Sequence, residues 1–141
     1  MDSYRSLDAW KVAHEAALLA HKACDRAYHS RARAVFDQLR RASLSVEANL
    51  VEGYALGTPG LCRRHLRIAF GSAAEAECVA RLASELGYLG VHVVEELERL
   101  LGRAMQMLRR LMVNPPVRPT THVPRRTTHD ARPTTHDARR T

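Results

Sequence analysis

The residues best suited to chemistry form a polar stripe in the second quarter of the chain. Arg41, Ser45, Asn49 and Glu52 follow one another at helical spacing, so in a helix they share one face. Serine and asparagine are poor choices inside a helix, because their side chains compete for backbone hydrogen bonds. Their use here indicates either a ligand pocket or a hydrogen-bond network that fixes helix packing, and we favour the network.

A matching set of small polar residues lies further along the chain. If the two segments pair as antiparallel helices, Arg41 comes level with Glu75, with Ser45 and Ser72 beside them. This register predicts an ion pair between Arg41 and Glu75. Gly71 costs about 1 kcal/mol of helix propensity relative to alanine, and close helix packing there would explain it. The predicted structural polar network therefore has six members: Arg41, Ser45, Asn49, Glu52, Ser72 and Glu75.

The chain offers no recognisable catalytic or metal-binding pattern. His14 and His21 lie seven residues apart and would need a ligand from another helix to hold a metal ion. Glu95, Glu96 and Glu98 lack the Glu-x-x-His spacing of di-iron bundles. No glycine-rich phosphate loop is present. We therefore predict no enzymatic activity, no catalytic residue, no metal site and no cofactor.

Four amphipathic helices are predicted to position these residues. Apolar residues recur at intervals of three and four over about residues 8–28, 32–54, 59–86 and 91–112. Thr58 and Pro59 suit the start of the third helix, and Gly87 suits its end. Short connections make neighbouring helices antiparallel. The expected fold is thus all-α, an antiparallel up-down-up-down four-helix bundle.

The inward face of the third predicted helix is made mainly of small residues. Such a face lets a neighbouring helix approach closely. The positions follow a repeating interval of four and three: Cys62, Leu66, Ala69, Ala73, Ala76, Ala80 and Ala83.

The composition changes sharply near Asn114. Five of the six prolines lie beyond it, and from Thr120 the sequence repeats as TTHVPRR, TTHDARP and TTHDARR. This segment has no leucine, isoleucine, methionine or aromatic residue, so it cannot offset the entropy of ordering. We predict a bundle domain over residues 1–112 and a disordered tail over 113–141. The tail's arginines leave a basic nucleic-acid arm open, and its histidines leave open a metal-binding tract.

The charge balance favours anionic partners. Lys+Arg number 22 against 15 Asp+Glu, which gives a formal charge of +7. Arginines on the predicted helix surfaces are candidate contacts to RNA or DNA. The alternative is a protein–protein interaction module or scaffold with no nucleic-acid role, on which arginine merely solvates the helices. The eight candidates are Arg31, Arg33, Arg40, Arg63, Arg64, Arg67, Arg109 and Arg110.

The sequence also bears on the compartment. No apolar run reaches the roughly 18 residues of a membrane span, and the chain does not begin like a signal peptide. Cys24, Cys62 and Cys78 are odd in number and widely spaced, which argues against a disulfide framework. We expect a cytoplasmic protein with no membrane partner.

Four short motifs carry a family resemblance. They are Leu-x-x-Trp-x-x-Ala at 7–13, Gln-x-Arg-Arg-Ala-x-x-Ser-x-x-x-Asn-x-x-Glu-Gly at 38–53, Leu-x-x-Ala-x-Gly-Ser-x-x-Glu at 66–75 and Leu-Gly-Tyr-Leu at 86–89. In these motifs, the chain resembles the bacterial four helix bundle protein family, also called the 23S rRNA-intervening sequence protein family. The resemblance extends over about residues 4–112 and leaves out the repeat tail.

This resemblance implies a left-handed four-helix bundle that assembles as a homopentamer. It also implies a gene often located inside intervening sequences of large-subunit ribosomal RNA. A distantly similar protein is the accessory subunit of diversity-generating retroelements, which binds a reverse transcriptase and nucleic acid. The expected partners are therefore further copies of this chain, and RNA, DNA or a nucleic-acid-handling protein. The resemblance implies no enzymatic activity.

Overall fold

The computed structural model describes residues 3–116, and this part of the chain is helical with no strand. Its four helices are α1 (Asp8–Arg26), α2 (Arg33–Ala55), α3 (Pro59–Glu85) and α4 (Val91–Val113). Single turns of 3-10 helix at Tyr4–Ser6 and Ser30–Ala32 precede α1 and α2. Each of the four predicted helices is present, and its ends lie within two residues of the predicted ones.

The four helices pack as a closed ring of neighbours. Contacts join α1 to α2, α2 to α3, α3 to α4, and α4 back to α1. Because the connections between consecutive helices are short, each helix runs antiparallel to the one before it. The predicted all-α four-helix bundle is confirmed for the described residues.

Small and large side chains alternate around this ring. The buried faces of α1 and α3 consist mainly of alanine. The buried faces of α2 and α4 carry the larger residues, among them Phe36, Leu39, Leu97 and Leu101. Every interface between neighbours therefore sets a small-residue face against a large-residue face, which lets the side chains interdigitate.

The ends of α3 follow the chemistry of their terminal residues. The Thr58 hydroxyl accepts a hydrogen bond from the Leu61 N–H at 3.4 Å, and so satisfies a donor of the first turn. At the other end, Gly87 adopts a left-handed φ of 72°. This conformation lets the Tyr88 N–H reach back to the Ala83 carbonyl at 2.8 Å. Both predicted boundary signals are confirmed.

Gly53 in α2 lies close against α3. A Cβ atom added there would lie 3.0 Å from the Cβ of His65 and 3.2 Å from the carbonyl oxygen of Cys62, both on α3. Gly71 has open space where its Cβ would be. The expectation that Gly71 serves close packing was therefore wrong, because its position on α3 faces outward.

The segment after α4 turns back toward the start of α3. The Cys62 thiol donates to the carbonyl oxygen of Pro116 at 3.5 Å. Val113, the first residue of the predicted tail, is still the last residue of α4. The rest of the tail prediction, including the basic-arm and metal-tract alternatives for residues 117–141, lies outside the described residues.

Candidate nucleic-acid interface

A chain of hydrogen bonds, which we call the polar seam, joins α2 to α3. The hydroxyls of Ser45 and Ser72 lie 2.9 Å apart. The Asn49 amide nitrogen donates to the Ser45 carbonyl at 2.9 Å and to the Ser45 hydroxyl at 3.1 Å. On the far side, His65 lies between Asn49 and Glu52. The seam consists of Ser45, Asn49, Glu52, His65 and Ser72, and contains four of the six residues of the predicted network.

Sequence reasoning assigned His65 no role, yet this side chain extends the seam from Asn49 to Glu52. Its Nδ1 lies 3.0 Å from the Asn49 side-chain oxygen and 3.2 Å from a Glu52 carboxylate oxygen. A proton on Nδ1 can be donated to either acceptor. The available signal was helical spacing, since His65 precedes Ser72 by seven residues and so shares its face of α3.

Arg41 and Glu75, the other two residues of the predicted network, are connected through the side chain of a third residue. Gln38 donates to the Glu75 carboxylate, and the Gln38 side-chain oxygen accepts from Arg41 at 2.9 Å. The predicted direct ion pair between Arg41 and Glu75 was therefore wrong. Gln38 lies one turn before Arg41 on α2 and reaches both groups, so it bridges the two helices at an exposed position.

The contacts of the polar seam are those of a packing element. In the described range, no buried side-chain nitrogen or oxygen lacks a hydrogen-bond partner. No three residues among histidine, cysteine, aspartate and glutamate are grouped to hold a metal ion in that same range. Since a half-satisfied network would destabilise the core, full pairing fixes the register of α2 against α3.

The two histidines of α1 make separate local contacts. His14 Nδ1 lies 2.8 Å from a Glu47 carboxylate oxygen on α2, and the Trp10 ring stacks on the His14 ring at 4.8 Å. His21 Nδ1 donates to the Ala17 carbonyl at 2.8 Å, within its own helix. The His14 contact therefore joins α1 to α2, whereas the His21 contact stays within α1.

The eight candidate arginines divide between the two ends of the bundle. Three lie toward the end that carries the α1–α2 connection: Arg31, Arg33 and Arg40. Five lie where the first half of α3 meets the last turns of α4, and we call this group the basic patch. Its members are Arg63, Arg64, Arg67, Arg109 and Arg110.

Contacts within the bundle hold two arginines of the basic patch in place. Arg63 Nε donates to the Met112 carbonyl oxygen at 3.1 Å, and so satisfies an acceptor of the last turn of α4. The Arg109 guanidinium lies over the Phe70 ring, 5.0 Å from its centre. Neither contact neutralises the positive charge, so both groups keep their attraction for anions.

The other three members of the basic patch are exposed and unpaired. Within residues 3–116, the guanidinium groups of Arg64, Arg67 and Arg110 have no carboxylate oxygen within 4.0 Å. Elsewhere on the same two helices, Arg81 pairs with Glu98 at 2.7 Å and Arg99 pairs with Glu96 at 2.6 Å. The two helices therefore carry paired arginines at one level and unpaired arginines at another.

The three candidates at the opposite end have other surroundings. Arg40 is only 22% exposed and pairs with Asp25 at 2.6 Å and Asp37 at 3.4 Å. Arg33 lies 3.8 Å from Asp37. Arg31 alone among these three has no carboxylate partner within the described residues. Arg40 is thus engaged in fixing the α1–α2 contact, which leaves it poorly placed to meet a phosphate.

The three cysteines are free, with Cys24 and Cys62 buried and Cys78 exposed. Burial raises the pKa of the Cys24 thiol to about 11, and it also raises that of Cys62.

Among the described helices, none combines the length and apolar character that a bilayer crossing requires.

The architecture is that of an all-α four-helix-bundle protein, in which a hydrogen-bonded polar seam joins α2 to α3. The family model for the 23S rRNA-intervening sequence protein matches residues 5–110. That match spans well over half of the chain, so the protein belongs to the 23S rRNA-intervening sequence protein family. The resemblance found in the four sequence motifs is confirmed. No curated protein matches the chain.

Proposed function

We propose that this protein is a non-catalytic, oligomeric bundle that binds RNA or DNA through the basic patch. The observation that carries the proposal is the set of exposed guanidinium groups at Arg64, Arg67 and Arg110, which have no carboxylate partner within residues 3–116. Arginine presents planar donors that match phosphate oxygens, and phosphate contacts supply affinity without sequence preference.

The position of the basic patch adds a second argument. The described chain ends at Pro116, whose carbonyl accepts from Cys62, one residue before Arg63. The sequence beyond Pro116 contains six more arginines. The described chain therefore ends beside the patch, and the arginines that follow in the sequence add to the protein's attraction for the same anionic partner.

The proposed oligomer rests on the outward face of α3. Leu61, Ile68 and Leu82 fall at multiples of seven residues and are all more than 40% exposed. Scattered apolar residues are normal on a surface, but a heptad spacing places these on one stripe that a second helix can cover. We propose that further copies of this chain cover the part of the stripe from Ile68 to Leu82, in the homopentamer that the family resemblance implies, and leave Arg64, which lies between Leu61 and Ile68 on the same face, open to an anion. The three free thiols agree with a reducing, cytoplasmic location.

The binding test compares two variants that lose the same charge. R64Q/R67Q removes two unpaired arginines of the patch, and R81Q/R99Q removes two arginines that are held by glutamates. Binding of a labelled RNA hairpin and a DNA duplex is measured over a range of salt. We expect R64Q/R67Q to weaken binding about tenfold and to lower the salt slope by about two, since each phosphate contact contributes about one.

The control variant separates a local patch from a general charge effect. R81Q/R99Q should change the affinity by less than about threefold, because its arginines are already neutralised. Equal losses in both variants would contradict the basic patch. A wild-type protein that binds neither nucleic acid at low salt would contradict the proposed function. A variant without residues 117–141 that has lost all binding would place the contacts in that segment instead.

The alternative function, a protein-interaction module without a nucleic-acid role, is favoured by the exposed stripe on α3. Light scattering of the wild type and of I68K/L82K tests the stripe. We expect an oligomer whose mass falls toward that of a monomer in the variant. A monomeric wild type would contradict self-association, and partner binding that is insensitive to salt would favour the alternative.

A further inference from the structure

We propose that the bundle end opposite the basic patch holds a nucleotide. A surface cavity of about 460 Å³ lies there, between the α1–α2 connection and the α3–α4 connection. Its volume falls within the roughly 300–1,000 Å³ of small-ligand sites. The side chains that could recognise a ligand are Arg26, Tyr28, His29, Arg31 and Tyr88.

The cations of this cavity are available to an anion. Within residues 3–116, neither Arg26 nor Arg31 has a carboxylate oxygen within 4.0 Å. The neighbouring acid, Asp25, is held by Arg40 at 2.6 Å. No aspartate or glutamate is among the residues that line the cavity. Two guanidinium groups with no competing carboxylate are suited to a phosphate.

His29 adds a fixed donor to the same wall. Its Nδ1 accepts the backbone N–H of Arg31 at 3.2 Å, at the start of the 3-10 turn that leads into α2. An accepting Nδ1 places the ring proton on Nε2, which leaves that N–H to donate. The histidine therefore orders the turn that carries Arg31 and keeps a further donor for the ligand.

Two tyrosine rings provide surfaces for a base. The Tyr88 ring packs edge-on against the buried Phe36 at 6.3 Å, and its backbone is fixed by the left-handed Gly87. Tyr28 is 58% exposed, and its ring packs against no other aromatic ring of the described residues. Aromatic rings beside arginines are the usual means of holding an unpaired base, whatever its identity.

A second cavity adjoins the first and shares Arg26 with it. It measures about 250 Å³ and is lined mainly by apolar residues, including Leu19, Leu89 and Val93, with Lys22 at its side. An inorganic phosphate would use only the cations, and a phospholipid would use the cations and the apolar cavity but leave the tyrosine rings without a partner. A nucleotide joins a planar ring to a phosphate and uses the cations and the tyrosine rings together, so the geometry favours it.

Two sources supply such a ligand: a free mononucleotide, or an unpaired nucleotide within an RNA or DNA strand. The test uses calorimetry of the full chain with AMP, adenosine, inorganic phosphate and a short oligoadenylate. We expect AMP to bind at least tenfold more tightly than adenosine or phosphate. R26Q/R31Q should weaken AMP binding at least tenfold, and Tyr28→Ala at least fivefold through lost stacking.

R64Q/R67Q is the matched control, because it removes the same charge at the other end of the bundle. It should leave the affinity for AMP within about twofold, whether or not the basic patch binds duplexes. The replaced residues are all exposed, and a circular dichroism melt checks that each variant folds. This test therefore succeeds or fails independently of the proposed function.

The outcomes are distinct. No binding of AMP at millimolar concentration, equal losses in R26Q/R31Q and R64Q/R67Q, or phosphate binding as tight as AMP would each overturn the site. If oligoadenylate binds at least tenfold more tightly than AMP and still requires Arg26 and Arg31, the site is supported and its source is a strand. If AMP and oligoadenylate bind with equal affinity and both require Arg26 and Arg31, the site is supported and its ligand is a free nucleotide.

Discussion

The polar seam and the basic patch both include side chains of α3, yet they differ in whether their polar groups find partners within the described residues. In the seam, Ser72 and His65 find partners on α2, and no buried polar atom of the described residues is left unpaired. In the patch, Arg64 and Arg67 face outward without a carboxylate within residues 3–116. The role of a polar residue here follows from whether its partner lies in the same chain.

The difference has an energetic consequence. Removing one partner of a buried hydrogen bond leaves the other unsatisfied, at a cost of about 1–3 kcal/mol. Replacing an exposed, unpaired arginine changes stability by no more than about 0.5 kcal/mol. Changes in the seam should therefore lower stability, and changes in the patch should alter binding.

The largest expected difference between a buried and an exposed group is in the rate at which the cysteine thiols react. The pKa of about 11 for Cys24 lies two units above the reference of 9.0, so its reactive thiolate is about 100-fold rarer at neutral pH. We expect an alkylating reagent at pH 8 to modify exposed Cys78 at least about tenfold faster than Cys24, because burial both hinders access to the Cys24 thiol and lowers its thiolate fraction. Mass spectrometry of the native protein over time measures both rates. Comparable rates would show that the α1 side of the bundle opens readily.

Gly53→Ala is expected to lower the free energy of unfolding by about 1–3 kcal/mol, because the new Cβ meets the Cys62 carbonyl and the His65 Cβ. Gly71→Ala is the control, since it adds the same methyl group to open space in the next helix. It should stabilise the protein by about 0.5–1 kcal/mol through helix propensity. Urea unfolding measures both changes. A neutral Gly53→Ala would mean that α2 and α3 can separate at no cost.

A double-mutant cycle on Ser45 and Ser72 addresses the seam itself. We expect each single alanine variant to lose about 1 kcal/mol and the pair to show a coupling of about 0.5–1.5 kcal/mol. Losses that add without coupling would show that the contact at 2.9 Å does not stabilise the fold.

The smallest expected effect is the stability change in R64Q/R67Q. Urea unfolding of this variant should match the wild type within about 0.5 kcal/mol, because neither arginine has an acidic partner within residues 3–116. A larger loss would remove the distinction between the basic patch and the polar seam, and it would complicate any loss of nucleic-acid binding.

The sequence predicted the parts of the fold that depend on local periodicity. The spacing of apolar residues located four helices, and Thr58 and Gly87 marked the ends of α3. A simple antiparallel register placed Ser45 and Ser72 beside the same predicted ion pair, although it did not predict the hydrogen bond between them. Each of these inferences requires only the period of a helix and the direction of its neighbour.

The errors arose where a contact depends on helix rotation or on a third residue. Gly53 and Gly71 are equally unusual within a helix, and only the rotation of each helix decides which one faces its neighbour. Gln38 bridges Arg41 and Glu75 because its side chain is long enough to reach both. The pairing of Arg40 with Asp25 joins two helices across 15 residues of sequence, and no local pattern indicates it.

The alanine faces of α1 and α3 determine which substitutions this family member can accumulate. Alanine has no side-chain rotamers to lose on burial, so ordering these two helices costs comparatively little entropy. The same small side chains leave no space for larger ones. Ala20 and Ala76 are fully buried, so a methyl group added at either position must displace a neighbouring side chain. On α2 and α4 the vulnerability is reversed, since trimming Leu39 or Leu101 would open a void. Substitutions in this bundle are therefore limited by added side-chain volume on α1 and α3, and by lost side-chain volume on α2 and α4.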